Sequence, residues 1–158
     1  MFITEIKLNL VPLPPKYKAV TAAHFKTKEE AFKANLIALN HNPGTVEMMD
    51  KHILELTKNN RDQQKNREFV KGEPGAILII EFARDSTKEI KKIHQEMVSD
   101  FQEAGYGYYY PLIHEPEASK VWNLRKAGLG ILSNMKGDAK PVSIIEDTAV
   151  NVEVLSDY

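Results

Sequence analysis

The sequence predicts an α+β fold in which an antiparallel sheet carries helices on one face. Three observations predict it. Short β-rich runs alternate with helical stretches in the order strand, helix, strand, and that order occurs twice between Tyr17 and Ile113. Two capping boxes, Thr27 with Glu30 and Ser86 with Glu89, mark helix starts at corresponding places in the two halves. The run AILIIEFARD, Ala76 to Asp85, is continuously apolar, as a strand covered on both faces or central in a sheet requires.

Each element follows in order. Ile3 to Leu13 alternates as a strand does and is expected to form one, followed by the stiff connector PLPPK; Tyr17 to Phe25 resumes extended character. After Thr27, the residues Ala31, Leu36, Ile37 and Leu39 supply an apolar helical face that lasts until NHNPG. GTVEMMD, Gly44 to Asp50, reads as a short strand, with Asp50 as the N-cap of a short helix in DKHILELTKNN. The polar stretch NNRDQQKNREFVKGEPG between the halves is expected to be a mobile loop. Beyond Ser86, Ile90, Ile93, Met97 and Phe101 recur at helical spacing through about Ala104, and Gly105 ends the helix. YGYYYPLI is an aromatic strand closed by Pro111, and HEPEASKVWNLRKAGLGILSNM is a further helix with Pro116 near its first turn. A final strand, PVSIIEDTAV, follows KGDAK. From Tyr17 to Ile113 this is the ferredoxin-like βαββαβ order, to which the last helix and strand are additions. With 158 residues, 42% of them hydrophobic, the chain can bury one core, and residues 1–158 are read as a single domain.

Composition removes several classes of function. A formal net charge of -1 provides no general attraction to nucleic acid or anionic membrane. The aromatic run GYGYYY superficially resembles the base-stacking signature of RNA-recognition modules, but it lies on the fourth strand and not the third, so packing tyrosines are expected and no nucleic acid. There is no cysteine, hence no thiolate metal site, iron–sulfur ligand or cysteine nucleophile within these residues. The five histidines, His24, His41, His52, His94 and His114, show neither HxH nor HExxH spacing, so no metal is expected to be bound wholly within the chain. No glycine-rich loop follows a strand and opens a helix, which excludes a P-loop and a dinucleotide fingerprint. No apolar run approaches the ~18 residues of a membrane span, and the start lacks the pattern of a signal peptide; a reducing cytosol is compatible with all of this.

Three places invite a functional reading. In VWNLRKAGLG, Val121, Leu124, Gly128 and Ile131 share one helical stripe, which is core, and Trp122, Arg125 and Leu129 form its neighbour at the boundary. There the indole and guanidinium of Trp122 and Arg125 are either a structural pair or the wall of an anion site. Gly128 and Gly130 each cost about 1 kcal/mol inside a helix, which points to a close backbone approach or a bend. Glu47, between Val46 and Met48 on a strand, is expected to face solvent. Glu146 and Asp147 are adjacent acids on a strand and point to opposite faces, so one of them is turned inward with a partner or sits at the strand end.

Taken together, LNLVPLPPKYKAV, VEMMD, VWNLRKAGLG and KPVSIIEDTAV resemble, in order and spacing, the substrate-side C-terminal domain of FAD-linked oxidases, the family of bacterial D-lactate and glycolate dehydrogenases. The resemblance covers nearly the whole chain and is most specific in the W-x-L-R-x-x-G helix followed by E-D-x-A-V. It is closest to the large forms that carry an added iron–sulfur region. Such a cap domain is built on a ferredoxin-like sheet, in agreement with the order of elements above. The resemblance implies a parent enzyme that oxidises a 2-hydroxy acid such as D-lactate or glycolate with FAD, and an iron–sulfur cluster elsewhere in that parent. It implies further that Arg125 holds the substrate carboxylate, a bidentate task suited to a guanidinium, with Trp122 flanking it or packing behind it and Glu146 and Asp147 adjacent to the site.

Asn151 departs from the pattern, since the family usually has proline after E-D-x-A-V. The FAD-binding domain and the later half of the cap, with its histidine-bearing segment, are not in this sequence. The chain is therefore expected to be an excised cap fragment whose partners are the 2-hydroxy acid and the FAD-binding domain of its own parent, inactive alone. A dimer of the fragment would use the surface that docks on the flavin domain. The implied location is cytoplasmic, or peripheral to the inner membrane through the parent. The competing reading is a free-standing ferredoxin-like module that binds a small ligand or a protein through its open sheet.

Overall fold

The computed structural model describes residues 3–10, 12–58, 60–133, 137–138 and 148–158, apart from the side chains of 129 and 131–133. Four strands, β1 (Tyr17–Phe25), β2 (Thr45–Asp50), β3 (Ala76–Arg84) and β4 (Leu112–His114), form one antiparallel sheet in the order β2-β3-β1-β4. This is the ferredoxin-like arrangement. The long strands β1 and β3 pair in the middle of the sheet along their whole length, from Tyr17 opposite Arg84 to Phe25 opposite Ala76.

The period of two along each strand sorts the side chains onto two faces. On one face Ala19, Ala23 and Phe25 join Leu78, Ile80 and Phe82 beneath α1 (Lys28–Asn40) and α3 (Thr87–Glu103). On the other, Val20, Ala22, Met49, Ile77 and Ile79 pack against α2 (Lys51–Lys58) and α4 (Ala118–Ser133). The two crossover helices thus share a face, as the βαββαβ order requires. The additional helices cover the opposite face, so the open sheet invoked by a free-standing binding module is closed over β1 and β3.

Local chemistry sets the helix ends. Thr27 Oγ1 accepts from Glu30 N at 3.1 Å while Glu30 Oε2 accepts from Lys26 N at 3.0 Å, and Ser86 Oγ accepts from Glu89 N at 3.2 Å. At the C-terminus of α3, Tyr106 N donates to Phe101 O and Gly105 N to Gln102 O, with Gly105 at φ 74°. That is a Schellman stop, which needs a residue that tolerates the left-handed region. Ile90, Met97 and Phe101 are buried as their spacing predicts.

Several expectations change. The buried face of α1 is Ala31, Ala34 and Ala38, small residues that let the helix lie close to the sheet; Ile37 packs against the same cluster as expected, whereas Leu36 and Leu39 are exposed. The described residues of 3–13 join no strand, and Ile3, Ile6, Leu8, Leu10 and Leu13 are exposed, because β1 takes β3 and β4 as its neighbours. The aromatic run contributes only a single bridge, His24 to Tyr109, ahead of the short β4. The predicted final strand falls mostly on 141–147, outside the described residues; its last three residues, 148–150, carry no regular structure.

The polar stretch expected to be a mobile loop is instead packed. Phe69 and Val70 enter the second apolar cluster, Asn66 is buried, and Arg67 donates to Leu54 O and Thr57 Oγ1 at the end of α2. Lys71 N donates to the buried His24 Nε2 at 3.2 Å, and Tyr108 Oη donates to Lys71 O at 2.9 Å. Its few apolar residues and its backbone find partners that a composition-based reading does not see.

Candidate functional site

The face built by β2, α2 and α4 brings two of the sequence motifs together. Glu47 lies opposite Ile79 in the β2–β3 register, and its side chain therefore points to the face on which Met49 and Ile79 are buried. Asp50 closes the strand and caps the next helix at once: its Oδ1 accepts from Ile53 N at 3.1 Å, as expected of an N-cap. This fixes Ile53 against α4. A Cβ on the buried Gly128 would lie 3.1 Å from Ile53 Cδ1, so the missing side chain lets the two helices approach.

One helical turn before Gly128, Arg125 reaches back over the edge of the sheet, and its Nε forms an ion pair with Glu47 Oε2. The Arg125 side chain is 48% exposed and that of Glu47 31%. Glu47 does not simply face solvent, as its neighbours suggest; the period of two turns it toward α4, and Arg125 covers it. Trp122 takes a different direction. It packs, partly buried, against the second apolar cluster with Phe69, Val70 and Ile113. Trp122 and Arg125 thus share a helix boundary but answer to different partners, the indole to the core and the guanidinium to a carboxylate. Glu146 and Asp147 lie outside the described residues.

Three of the histidines, His24, His41 and His94, make structural contacts. His24 is fully buried; its Nδ1 donates to Ala22 O at 2.8 Å, so Nε2 is the nitrogen free to accept from Lys71 N. Burial pushes its pKa down to about 4, against the opposing effect of hydrogen bonding to the backbone of Ala22 and Tyr109. His94 pairs with the buried Thr21 Oγ1 at 2.9 Å, and burial, with a smaller contribution from His114, lowers its pKa as well. His41 Nε2 sits 2.8 Å from Asp100 Oδ2. Among the described residues no group of three His, Asp or Glu could hold a metal ion.

A dinucleotide would need a phosphate cradle, and the described residues do not form one. The helix N-termini that follow β1 and β3 are occupied by their own caps, Thr27 and Ser86. The glycines at which a Cβ would collide are filled by the chain itself: Gly75 by Lys26 O at 2.2 Å, and Gly107 by Tyr110 Cε1 at 2.8 Å. These residues therefore do not fit FAD. The GYGYYY tyrosines are packing groups: Tyr110 lies against Phe101 in the first cluster, and Tyr108 and Tyr109 meet the edges of His24. Among the described residues no helix is long and apolar enough to cross a membrane.

Comparison with known proteins adds what geometry alone does not. The chain is 30% identical over 168 residues to a D-2-hydroxyglutarate dehydrogenase of Haemophilus influenzae. It is 29% identical over 167 residues to one of Pantoea ananatis, and 28% over 166 residues to one of Pseudomonas putida. Each comparison covers 99% of this chain and 16% of the relative, so the chain spans about one-sixth of the length of the curated proteins it matches. The family model described as FAD linked oxidases, C-terminal domain, matches residues 14–158, and the chain belongs to that family.

Proposed function

We propose that this chain is the substrate-side cap domain of a longer FAD-dependent dehydrogenase acting on a 2-hydroxy acid, and that Arg125 holds the substrate carboxylate. The observation that carries this reading is the guanidinium itself, half exposed on α4 and engaged by Glu47 through Nε. A planar fork held on one side is suited to receive a second carboxylate on another edge. The named relatives make D-2-hydroxyglutarate the first substrate to test, ahead of D-lactate and glycolate. Because the described residues do not fit FAD, the flavin would be held by another domain of the longer protein, where it supplies the hydride acceptor. A chain without cysteine offers no thiolate to an iron–sulfur cluster, so any such cluster would also be held elsewhere. Trp122 would support the site from behind by fixing α4 on the core. Glu146 and Asp147 are proposed as neighbours of the site, with no step assigned to them.

The test begins with the native gene product. A protein much larger than 17.9 kDa with flavin absorption bands supports the reading, and a colourless protein of that mass removes it. In the flavin-loaded protein, Arg125→Ala is expected to lower kcat/KM for D-2-hydroxyglutarate. Loss of charge-assisted hydrogen bonds worth about 3 kcal/mol corresponds to roughly a hundredfold. Flavin content should not change. Unaltered kinetics would take Arg125 out of the site.

A further inference from the structure

We infer that Glu47 is a positioning residue that aims Arg125, an inference that rests on Arg125 as the carboxylate holder. The contact that defines the pair is between Arg125 Nε and Glu47 Oε2. A guanidinium presents five N–H donors in a rigid plane, and a carboxylate at Nε occupies its side edge. A second carboxylate would then be received on the end edge, made by the two terminal nitrogens. Among the described residues Glu47 is the ionic partner of Arg125, whose side chain stays 48% exposed.

The placement of Glu47 depends on fold-level contacts. β2 is an edge strand of the sheet, and its register with β3 turns Glu47 toward α4. Asp50 starts α2 directly after β2, Ile53 stands on its first turn, and Gly128 lets α4 come down onto Ile53. This sequence of contacts sets the height of Arg125 over Glu47. The VEMMD and W-x-L-R-x-x-G motifs are therefore two halves of one device: the first supplies the support and the second the guanidinium. A pair this exposed stabilises the fold little, so its removal should be read in the reaction and not in folding.

The Glu47 carboxylate also opposes the charge of Arg125. Replacing it with a neutral group strengthens long-range attraction of an anionic substrate while loosening the aim of the guanidinium. Positioning therefore predicts a split between kcat and KM that a merely structural role would not produce. In the flavin-loaded enzyme carrying this domain, with D-2-hydroxyglutarate as probe, Glu47→Gln is expected to lower kcat about ten- to a hundredfold, the effect of misplacing a reactant by about an ångström. KM should stay level or fall, and Glu47→Asp should recover part of kcat. The double variant Glu47→Gln, Arg125→Ala should be no slower than Arg125→Ala alone, because the two residues act as one unit.

A raised KM with unchanged kcat, or additive losses in the double variant, would overturn the inference while leaving Arg125 in the site. If Arg125→Ala itself changes nothing, the reading of Arg125 fails, and Glu47 has nothing to aim. A second measurement uses the 158-residue chain without flavin. The 15N–1H resonance of Arg125 Nε should move on Glu47→Gln, and an unmoved resonance would show that the pair does not form in solution and end the inference there.

Discussion

Protonation of His24 should make this domain lose stability in mild acid. The imidazole is fully buried between β1 and the 60–75 segment, surrounded by Phe69, Tyr108 and Tyr109. Nδ1 donates to Ala22 O and Nε2 accepts from Lys71 N, so the neutral ring satisfies both neighbours. A proton added at Nε2 would set two donors against each other and place a charge among aromatic rings. Burial accordingly takes the pKa from 6.5 to about 4 in the folded chain.

Between those two values the unfolded chain binds the proton and the folded chain does not. Stability is therefore complete above about pH 6.5, falls as the pH drops, and levels off once the folded state itself takes the proton near pH 4. At about 1.4 kcal/mol per pH unit the whole window is worth roughly 3 kcal/mol. Urea unfolding followed by circular dichroism between pH 7 and 4 would show this as a midpoint shift of roughly 1–2 M. His94 acts in the same direction on the other face, so the diagnostic quantity is the wild-type curve minus that of His24→Asn, which retains one donor and one acceptor but does not titrate. The difference should shrink steadily as the pH falls from 6.5 toward 4. Two curves that run parallel over that range would refute the assignment of a buried neutral His24. Amide exchange at Lys71, corrected for its intrinsic pH dependence, should accelerate near pH 4, where the folded ring takes the proton and the N–H loses its acceptor.

Two glycines provide further tests. A Cβ at Gly75 would lie 2.2 Å from the Lys26 carbonyl, a backbone atom that cannot swing aside, whereas at Gly105 it would meet open space and only the φ of 74° resists. Gly75→Ala should therefore cost more than 2 kcal/mol, at the upper end of about 1–3 for overpacking, and Gly105→Ala about 1 kcal/mol. Thermal unfolding would rank them, and the reverse order would contradict the packing at the β3 start. At Gly128 the collision is with the tip of Ile53, so Gly128→Val should destabilise by about 1–3 kcal/mol, and Ile53→Ala in the same chain should restore part of it. If the second change only adds to the loss, α2 and α4 are not spaced by this contact.

Much of the architecture is legible in the residue order because its signals are local. The N-caps Thr27 and Ser86, the Asp50 cap, the Gly105 stop and the doubly covered β3 are each written within a few neighbouring positions, and all of them form. The two halves of the βαββαβ order follow from those signals, and the family resemblance follows from motifs that can be read one after another. The alanine face of α1 is less legible, because Leu36 and Leu39 look like better core residues until the closeness of the helix to the sheet is known.

The arrangement of the site belongs to the folded chain. Glu47 and Arg125 lie far apart in the sequence and become partners through a strand register, a capped helix and a glycine that lets α4 descend. Trp122 and Arg125 are one turn apart and yet separate, because a helix directs neighbouring stripes to different surroundings and only packing decides which surface each one meets. His24 and the 60–75 segment follow the same rule. Composition identifies a polar stretch and a histidine, but a donor and an acceptor at hydrogen-bond distance arise only when β1, the segment and the tyrosines are brought together. Periodicity and capping are properties of neighbouring residues, whereas the pairing of a charge or a buried ring depends on distances that arise when separate elements meet.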